Sequence, residues 1–221
     1  QIKDIGSLDV SKDADLIAYT VSSVDQKNDE YVTDIWMLNF KKDRDKLIVR
    51  SAYSPKFSPD SNYVAYLAPG RGKYSDYQQL WFFNTKNATK RQMTKIESSV
   101  TDFEWSPDGS RITMVINIEP EREDEGETQK PYVIDRYQFK QDNNDFLDES
   151  RQHLFLIETA SRKLTQLTDG TSNEIFPSWS PDGNRIAYVT KIGDIDRHNN
   201  WDIYVLKLDS NENPSQLTTH P

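Results

Sequence analysis

The sequence predicts an all-β fold: a β-propeller of about four blades, each built from four short antiparallel strands. Two observations carry this expectation. A Ser-Pro-Asp-Gly turn recurs along the chain, and the strands that follow each copy keep an even spacing. A third is the lack of helical patterning, since no 3.6-residue apolar periodicity persists for ten residues.

The turn is plainest at Trp105-Ser106-Pro107-Asp108-Gly109 and Trp179-Ser180-Pro181-Asp182-Gly183. A variant reads Phe57-Ser58-Pro59-Asp60-Ser61, and a worn copy Val10-Ser11-Lys12-Asp13-Ala14. Proline presets φ at the first central position, aspartate bonds back to its own backbone, and glycine accepts a positive φ. Each copy therefore reads as a tight hairpin between the first two strands of a unit.

The second strands are Leu16-Ile17-Ala18-Tyr19, Tyr63-Val64-Ala65-Tyr66, Arg111-Ile112-Thr113-Met114 and Arg185-Ile186-Ala187-Tyr188. Third strands centre on Trp36, Trp81, Phe155 and Tyr204, and the units close at Leu47-Ile48, Gln92-Met93-Thr94, Gln166-Leu167-Thr168 and Gln216-Leu217-Thr218. The step from turn aspartate to third-strand aromatic is 23, 21 and 22 residues in the first, second and fourth units, but 47 in the third. Blades are expected at about 5–49, 50–97, 98–170 and 171–218, with an insertion at 117–152. Its Glu-rich opening lacks apolar anchors and is expected to be mobile. Tyr132 to Phe146 alternates and is expected to form two extra strands joined near Gln141 to Asn144. No strand is left over to cross-close a ring. Four blades can form a small ring, but an open part of a seven- or eight-bladed propeller reads equally well.

Composition narrows the function classes. The 221 residues carry a net charge of −9, which argues against a sequence-blind grip on nucleic acid. Cysteine is absent, excluding disulfides, thiolate catalysis and cysteine zinc sites together. No apolar run approaches the length of a membrane helix, so no membrane partner is expected. No signal peptide is visible, although Gln1 is not a natural start and one could have been removed. A cytoplasmic location is the expectation, with export left open.

The Ser-Pro-Asp-Gly units resemble the blades of TolB-like propellers and of the prolyl oligopeptidase family of serine peptidases. Asp34-Ile35-Trp36-Met37-Leu38, after the Ala18 to Ser22 strand and an Asn/Asp/Glu-rich loop, is similar to the first blade of acylaminoacyl-peptidase-type members. Tyr132-Val133-Ile134-Asp135-Arg136, with Phe146-Leu147-Asp148 and Arg151-Gln152-His153-Leu154-Phe155, resembles their third-blade insertion. The resemblance implies a propeller that gates and positions peptides for a separate α/β-hydrolase domain holding Ser, Asp and His. The chain itself shows no nucleophile elbow: Gly170-Thr171-Ser172-Asn173-Glu174 has the wrong fifth residue. No catalytic residue, cofactor site or metal site is assigned. The alternative is a TolB-like scaffold that binds other proteins.

An interruption in a regular repeat is the first place to look for function. Glu119 to Glu127 reads chiefly as a solvated acidic loop, against the alternative of an arm that offers carboxylates to a peptide ammonium. Arg136, Arg151, Asp135, Asp148 and Tyr137 are the candidates for contact with substrate or with the hydrolase domain. The competing reading is local pairing around Tyr132, Tyr137, Phe139 and Phe146. His153, His198 and His220 lack a second histidine at ligand spacing, and the Asp142/Asp145/Asp148 and Asp194/Asp196/Asp202 groups lack the form of a calcium loop. Trp201 alone stands outside the repeated aromatic column and is expected to be partly exposed.

Overall fold

The computed structural model describes residues 3–119, 140–141, 145–146, 150–191, 200–210 and 212–219. The first sheet is formed by β1 (Lys3–Val10), β2 (Leu16–Asp25), β3 (Glu30–Asn39) and β4 (Arg44–Val49), and the second by β5 (Tyr53–Phe57), β6 (Tyr63–Pro69), β7 (Gln78–Asn84) and β8 (Lys90–Gln92). Next come β9 (Ser99–Trp105) and β10 (Arg111–Ile118), then the short strands β11 (Lys140–Gln141) and β12 (Asp145–Phe146). The third sheet takes β9 and β10 and is completed by β13 (Arg151–Glu158) and β14 (Leu164–Gln166). The fourth is β15 (Glu174–Trp179), β16 (Arg185–Thr190), β17 (Asp202–Lys207) and β18 (Ser215–Gln216). Every four-stranded sheet pairs its strands in chain order and antiparallel, as a propeller blade does. The described helices are two single 3₁₀ turns, Phe40–Lys42 and Gly72–Tyr74.

The repeated turn behaves as its residues dictate. Gly109 N–H donates to Ser106 O at 2.9 Å with Gly109 at φ 72°, while Asp108 Oδ1 accepts from Ser106 Oγ at 2.6 Å and Ser110 N–H at 3.1 Å. Gly183, Ser180 and Asp182 repeat the arrangement, with Gly183 at φ 71°. In the first two units the left-handed position is held by Ala14 and Ser61, at φ 56° and 57°. A side chain there costs about 1–2 kcal/mol, so the worn copies keep the geometry against a strain that glycine removes.

The closing Gln-x-Thr element forms a polar clasp in three of the sheets. The Thr94, Thr168 and Thr218 hydroxyls each accept the N–H of a third-strand residue, Leu80, Leu154 and Ile203, at 2.9 Å. They donate in turn to Gln79 Oε1, Glu174 Oε2 and Asp202 Oδ1 at 2.8–2.9 Å. The Gln92, Gln166 and Gln216 amides donate to the carbonyl oxygen of the same threonine at 2.9 Å. A strand of two or three residues is thereby held without a long ladder.

Sheets stack face to face. Ala18, Ile35, Met37, Val64, Tyr66 and Phe83 fill the first joint. Leu67, Phe82, Phe103, Trp105, Ile112 and Met114 fill the second, and Val115, Leu154, Ile186, Tyr188 and Tyr204 the third. The first strands of successive sheets meet, β1 with β5, β5 with β9 and β9 with β15, as the inner strands of a propeller do. Among the described residues no comparable packing joins the fourth sheet to the first. Their outward faces leave Ile5, Leu8, Ile203 and Leu217 exposed.

The third sheet shows how an insertion is tolerated. Its chain departs after Ile118 and returns at Arg151, and these two residues are partners in the β10–β13 ladder. The register therefore never registers the added length. Within the insertion Lys140 pairs with Phe146 and Gln141 with Asp145, antiparallel, in the stretch where extra strands were expected. The Glu-rich opening from residue 120 and the segment 131–139 lie outside the described residues.

Candidate functional site

In an antiparallel meander the connections alternate between two ends, so the 118–151 splice and the Ser-Pro-Asp-Gly turns lie at opposite ends of the third sheet. Two surfaces are of interest, one along the inner strands and one beside the 118–151 splice.

Along β1, β5 and β9 lies a cavity of about 570 Å³, lined among others by Asp9, Lys12, Lys56, Trp105 and Glu104. Asp9, Lys56 and Glu104 each stand one residue before the last residue of their strand, so the stacked blades bring one repeat position into a charged column. Lys56 Nζ donates to Glu104 Oε2 at 2.7 Å, lies 3.5 Å from Asp102 Oδ1, and also donates to Phe103 O. Asp9 Oδ2 accepts Phe57 N–H at 2.6 Å and ties the first two blades together. Lys12 and Lys56 stand against Asp9 and Glu104 in the lining, so the groove presents charges of both signs. It can bind charged or hydrogen-bonding groups of an extended chain, and it pairs no nucleophile with a general base. The sequence reading passed over this column. Aligning the residue before Val10, Phe57 and Trp105 across the repeats is the signal that could have found it.

Where the chain re-enters at Arg151 the third and fourth sheets are joined by polar contacts. Arg151 Nε donates to Thr171 O at 2.8 Å and its Nη1 to Ser150 O at 2.8 Å, while Gln152 N–H donates to Asn173 Oδ1 at 2.8 Å. One residue further, His153 Nδ1 lies 2.8 Å from Glu174 Oε2, which also accepts the Thr168 hydroxyl. Both members of the His153–Glu174 pair have side chains only 6% exposed. A buried carboxylate needs such partners, because removing either would leave a desolvated polar group. This histidine belongs to the joint between blades, where Gln79 fills the equivalent place in the second sheet.

Of the residues singled out in the sequence, Arg151 lies at the root of the insertion; Asp135, Arg136, Tyr137 and Asp148 lie outside the described residues. His198, His220, Asp194, Asp196, Asp142 and Asp148 lie outside them as well. The Asp202 carboxylate is taken up by Thr218 and Gln216 in the fourth clasp. Among the described residues no group of three or more His, Asp or Glu side chains is gathered as a metal site. Trp201 is partly exposed, with Lys191 Nζ 4.9 Å from its ring centre. No described helix is long and apolar enough to cross a membrane.

At the turn end, hydrogen bonds from Ser106 and Ser110 hold the Asp108 carboxyl down at about 2. Burial works to raise Asp60, but the Ser58 and Asn62 bonds outweigh it and leave it lowered. Both turns therefore present carboxylates at neutral pH.

Residues 135–221 match the family described as the dipeptidyl peptidase IV (DPP IV) N-terminal region. The chain is 25% identical over 199 residues to the uncharacterized peptidase YuxL of Bacillus subtilis, covering 86% of this chain and 30% of that one. The acylaminoacyl peptidase of Pyrococcus horikoshii superposes with a TM-score of 0.76 at 20% identity, over 99% of this chain and 33% of its own. TolB from Acinetobacter baumannii gives a TM-score of 0.60 at 17% identity, over 98% of this chain and 44% of its own. The chain thus spans about a third of the length of the peptidases it matches. The resemblance to peptidase propellers and to TolB holds, and the β-propeller architecture with it.

Proposed function

We propose that this chain is the propeller portion of a serine peptidase, gating and positioning peptide substrates for an α/β-hydrolase domain carried elsewhere in the full-length protein. The observation that carries the reading is the matched extent: peptidases similar in sequence and in fold run through nearly the whole chain, and the chain covers about a third of each. Two features of the molecule fit the role. A groove lined by charges of both signs follows the inner strands, suited to the polar backbone and charged groups of a peptide. The insertion leaves a ladder that stays in register, so an arm can extend without loosening the blade that bears it. In this reading Arg136, Arg151, Asp135, Asp148 and Tyr137 contact substrate or the hydrolase domain.

The test is made on the full-length protein. Acylaminoacyl or dipeptidyl chromogenic substrates should be turned over, and a serine-directed inhibitor should abolish turnover. The chain of 221 residues alone should show none. Changing Arg136 and Arg151 together to Ala should impair peptide turnover, and unchanged kinetics would reduce the insertion to decoration.

The likeness to TolB supports a second reading, a scaffold that binds other proteins. A full-length protein with no inhibitor-sensitive peptidase activity, but with a stable protein partner, would favour it.

A further inference from the structure

The joints between blades two and three and between blades three and four are built alike. Trp105 Nε1 donates to Lys56 O at 3.2 Å, and Trp179 Nε1 donates to Glu104 O at 3.2 Å. Pro59 lies against Gly109, and Pro107 lies against Gly183. The residues that line the two seams differ, with Leu156 and Thr165 of the third blade at the places of Phe82 and Arg91, and the opening residue of the second strand differs too. In the third blade β10 opens with Arg111, whose guanidinium lies 5.1 Å from the Trp179 ring centre and donates to Gly183 O at 2.8 Å. In the second blade β6 opens with Tyr63.

These differences change what fills the joint. Tyr63 packs 5.6 Å from Phe82, and Phe82 packs 5.0 Å from Trp105, centre to centre. Beside these rings a cavity of about 320 Å³ remains, bordered by Asp60, Asp108 and Arg91 as well. Three aromatic walls with two carboxylates against the single guanidinium of Arg91 leave the cavity suited to an organic cation, because ring faces attract positive charge most when water is excluded. Elsewhere the chain meets this preference with its own side chains: Arg71 stands over Trp81, Arg111 over Trp179 and Lys191 over Trp201. Among the described residues no such cation stands over Trp105.

We infer that the aromatic cavity between the second and third blades, walled by Tyr63, Phe82 and Trp105 and edged by Asp60 and Asp108, is a binding site for a guanidinium group. The neighbouring joint supplies the precedent, since there a guanidinium of the chain itself completes the same tryptophan-lined seam. The site takes an arginine side chain or free guanidinium. It excludes the neutral isostere, which the two carboxylates do not attract.

The experiment is a titration of the 221-residue chain followed by the Trp105 indole N–H resonance, assigned with Trp105→Phe. N-acetyl-arginine amide should give a saturable shift, and N-acetyl-citrulline amide should bind at least about tenfold more weakly, the scale of a desolvated cation–ring contact. Low-millimolar guanidinium chloride identifies the source. A shift with both probes shows that the head group suffices, and a shift with the amide alone shows that a peptide-borne arginine is the ligand. Tyr63→Arg should fill the cavity with the chain's own guanidinium and abolish the shift. Should that variant fail to fold, Asp60→Asn with Asp108→Asn should weaken binding by about tenfold instead. Equal binding of citrulline, absence of any shift, or a shift only in Arg91→Ala, where Arg91 would prove to be the occupant, overturns the assignment.

Discussion

The second and fourth sheets follow one strand plan and bury very different amounts of it. In β6 every residue from Val64 to Ala68 is buried. In β16 burial falls on alternate residues only, Ile186, Tyr188 and Thr190, while Ala187 and Val189 between them are partly open. The sequences are nearly interchangeable, Tyr-Val-Ala-Tyr-Leu-Ala against Arg-Ile-Ala-Tyr-Val-Thr. The second sheet has a neighbour on each face and the fourth has a described neighbour on one. A blade is thus a two-sided object, and its second core exists only when another blade supplies it.

The largest effect should come from the doubly covered region. Phe103→Ala, at a fully buried ring in β9, should cost about 3–5 kcal/mol in urea unfolding. Ile203→Ala on the open face of β17 should cost under about 1 kcal/mol. Equal costs would mean that the outer face of the fourth sheet is covered in solution, and the contrast would break.

The single described joint of the fourth sheet should be vulnerable next. Glu174→Ala leaves His153 and Thr168 without their shared acceptor and should cost about 3 kcal/mol. Glu174→Gln keeps one acceptor oxygen and should cost less. Hydrogen exchange should show the loss concentrated in β15 to β18, and uniform loosening of all four sheets would contradict a locally held blade.

Turn geometry should be indifferent to burial. Gly183→Val, at φ 71°, should cost about 1–2 kcal/mol, and Ser61→Gly in the second sheet should recover up to about that amount. Thermal unfolding of both variants tests whether the two turns are equivalent.

The smallest effect is electrostatic. The Asp108 carboxyl is lowered to about 2, so its contribution is present above the ordinary carboxylate range and is lost as pH falls from about 4 towards 2. Because this carboxylate is exposed, solvent screening limits the contribution to under about 1 kcal/mol. Asp108→Asn should flatten that part of the stability profile. Asp182, lowered by Ser180 and the Asn184 backbone, should do the same in the outer sheet and so sharpen the equivalence of the turns.

How far each feature could be read depends on how local its causes are. The turns at Ser106 and Ser180 were legible because proline, aspartate and glycine act within five residues. The insertion showed as one long step in an otherwise regular spacing, whereas its ladder partners Ile118 and Arg151 came only with the register of the folded sheet. The clasp was half legible. Gln-x-Thr could be seen as a closing element, but Thr168 reaches Glu174 of the next blade, and no pattern within one repeat names that partner. The Asp9, Lys56 and Glu104 column escaped notice for the same reason, since each residue looks like an ordinary polar strand position within its own repeat.

By itself the sequence determined the four-stranded unit, its turns and its number of copies, because period-two alternation and turn chemistry are short-range properties of the chain. Only the tertiary structure decided which faces are buried, which of two similar joints holds Arg111 and which leaves a cavity beside Trp105, and that His153 meets Glu174. Those outcomes depend on what stands about 10 Å away across the stack, and a strand's own residues carry no record of the neighbour that will cover them.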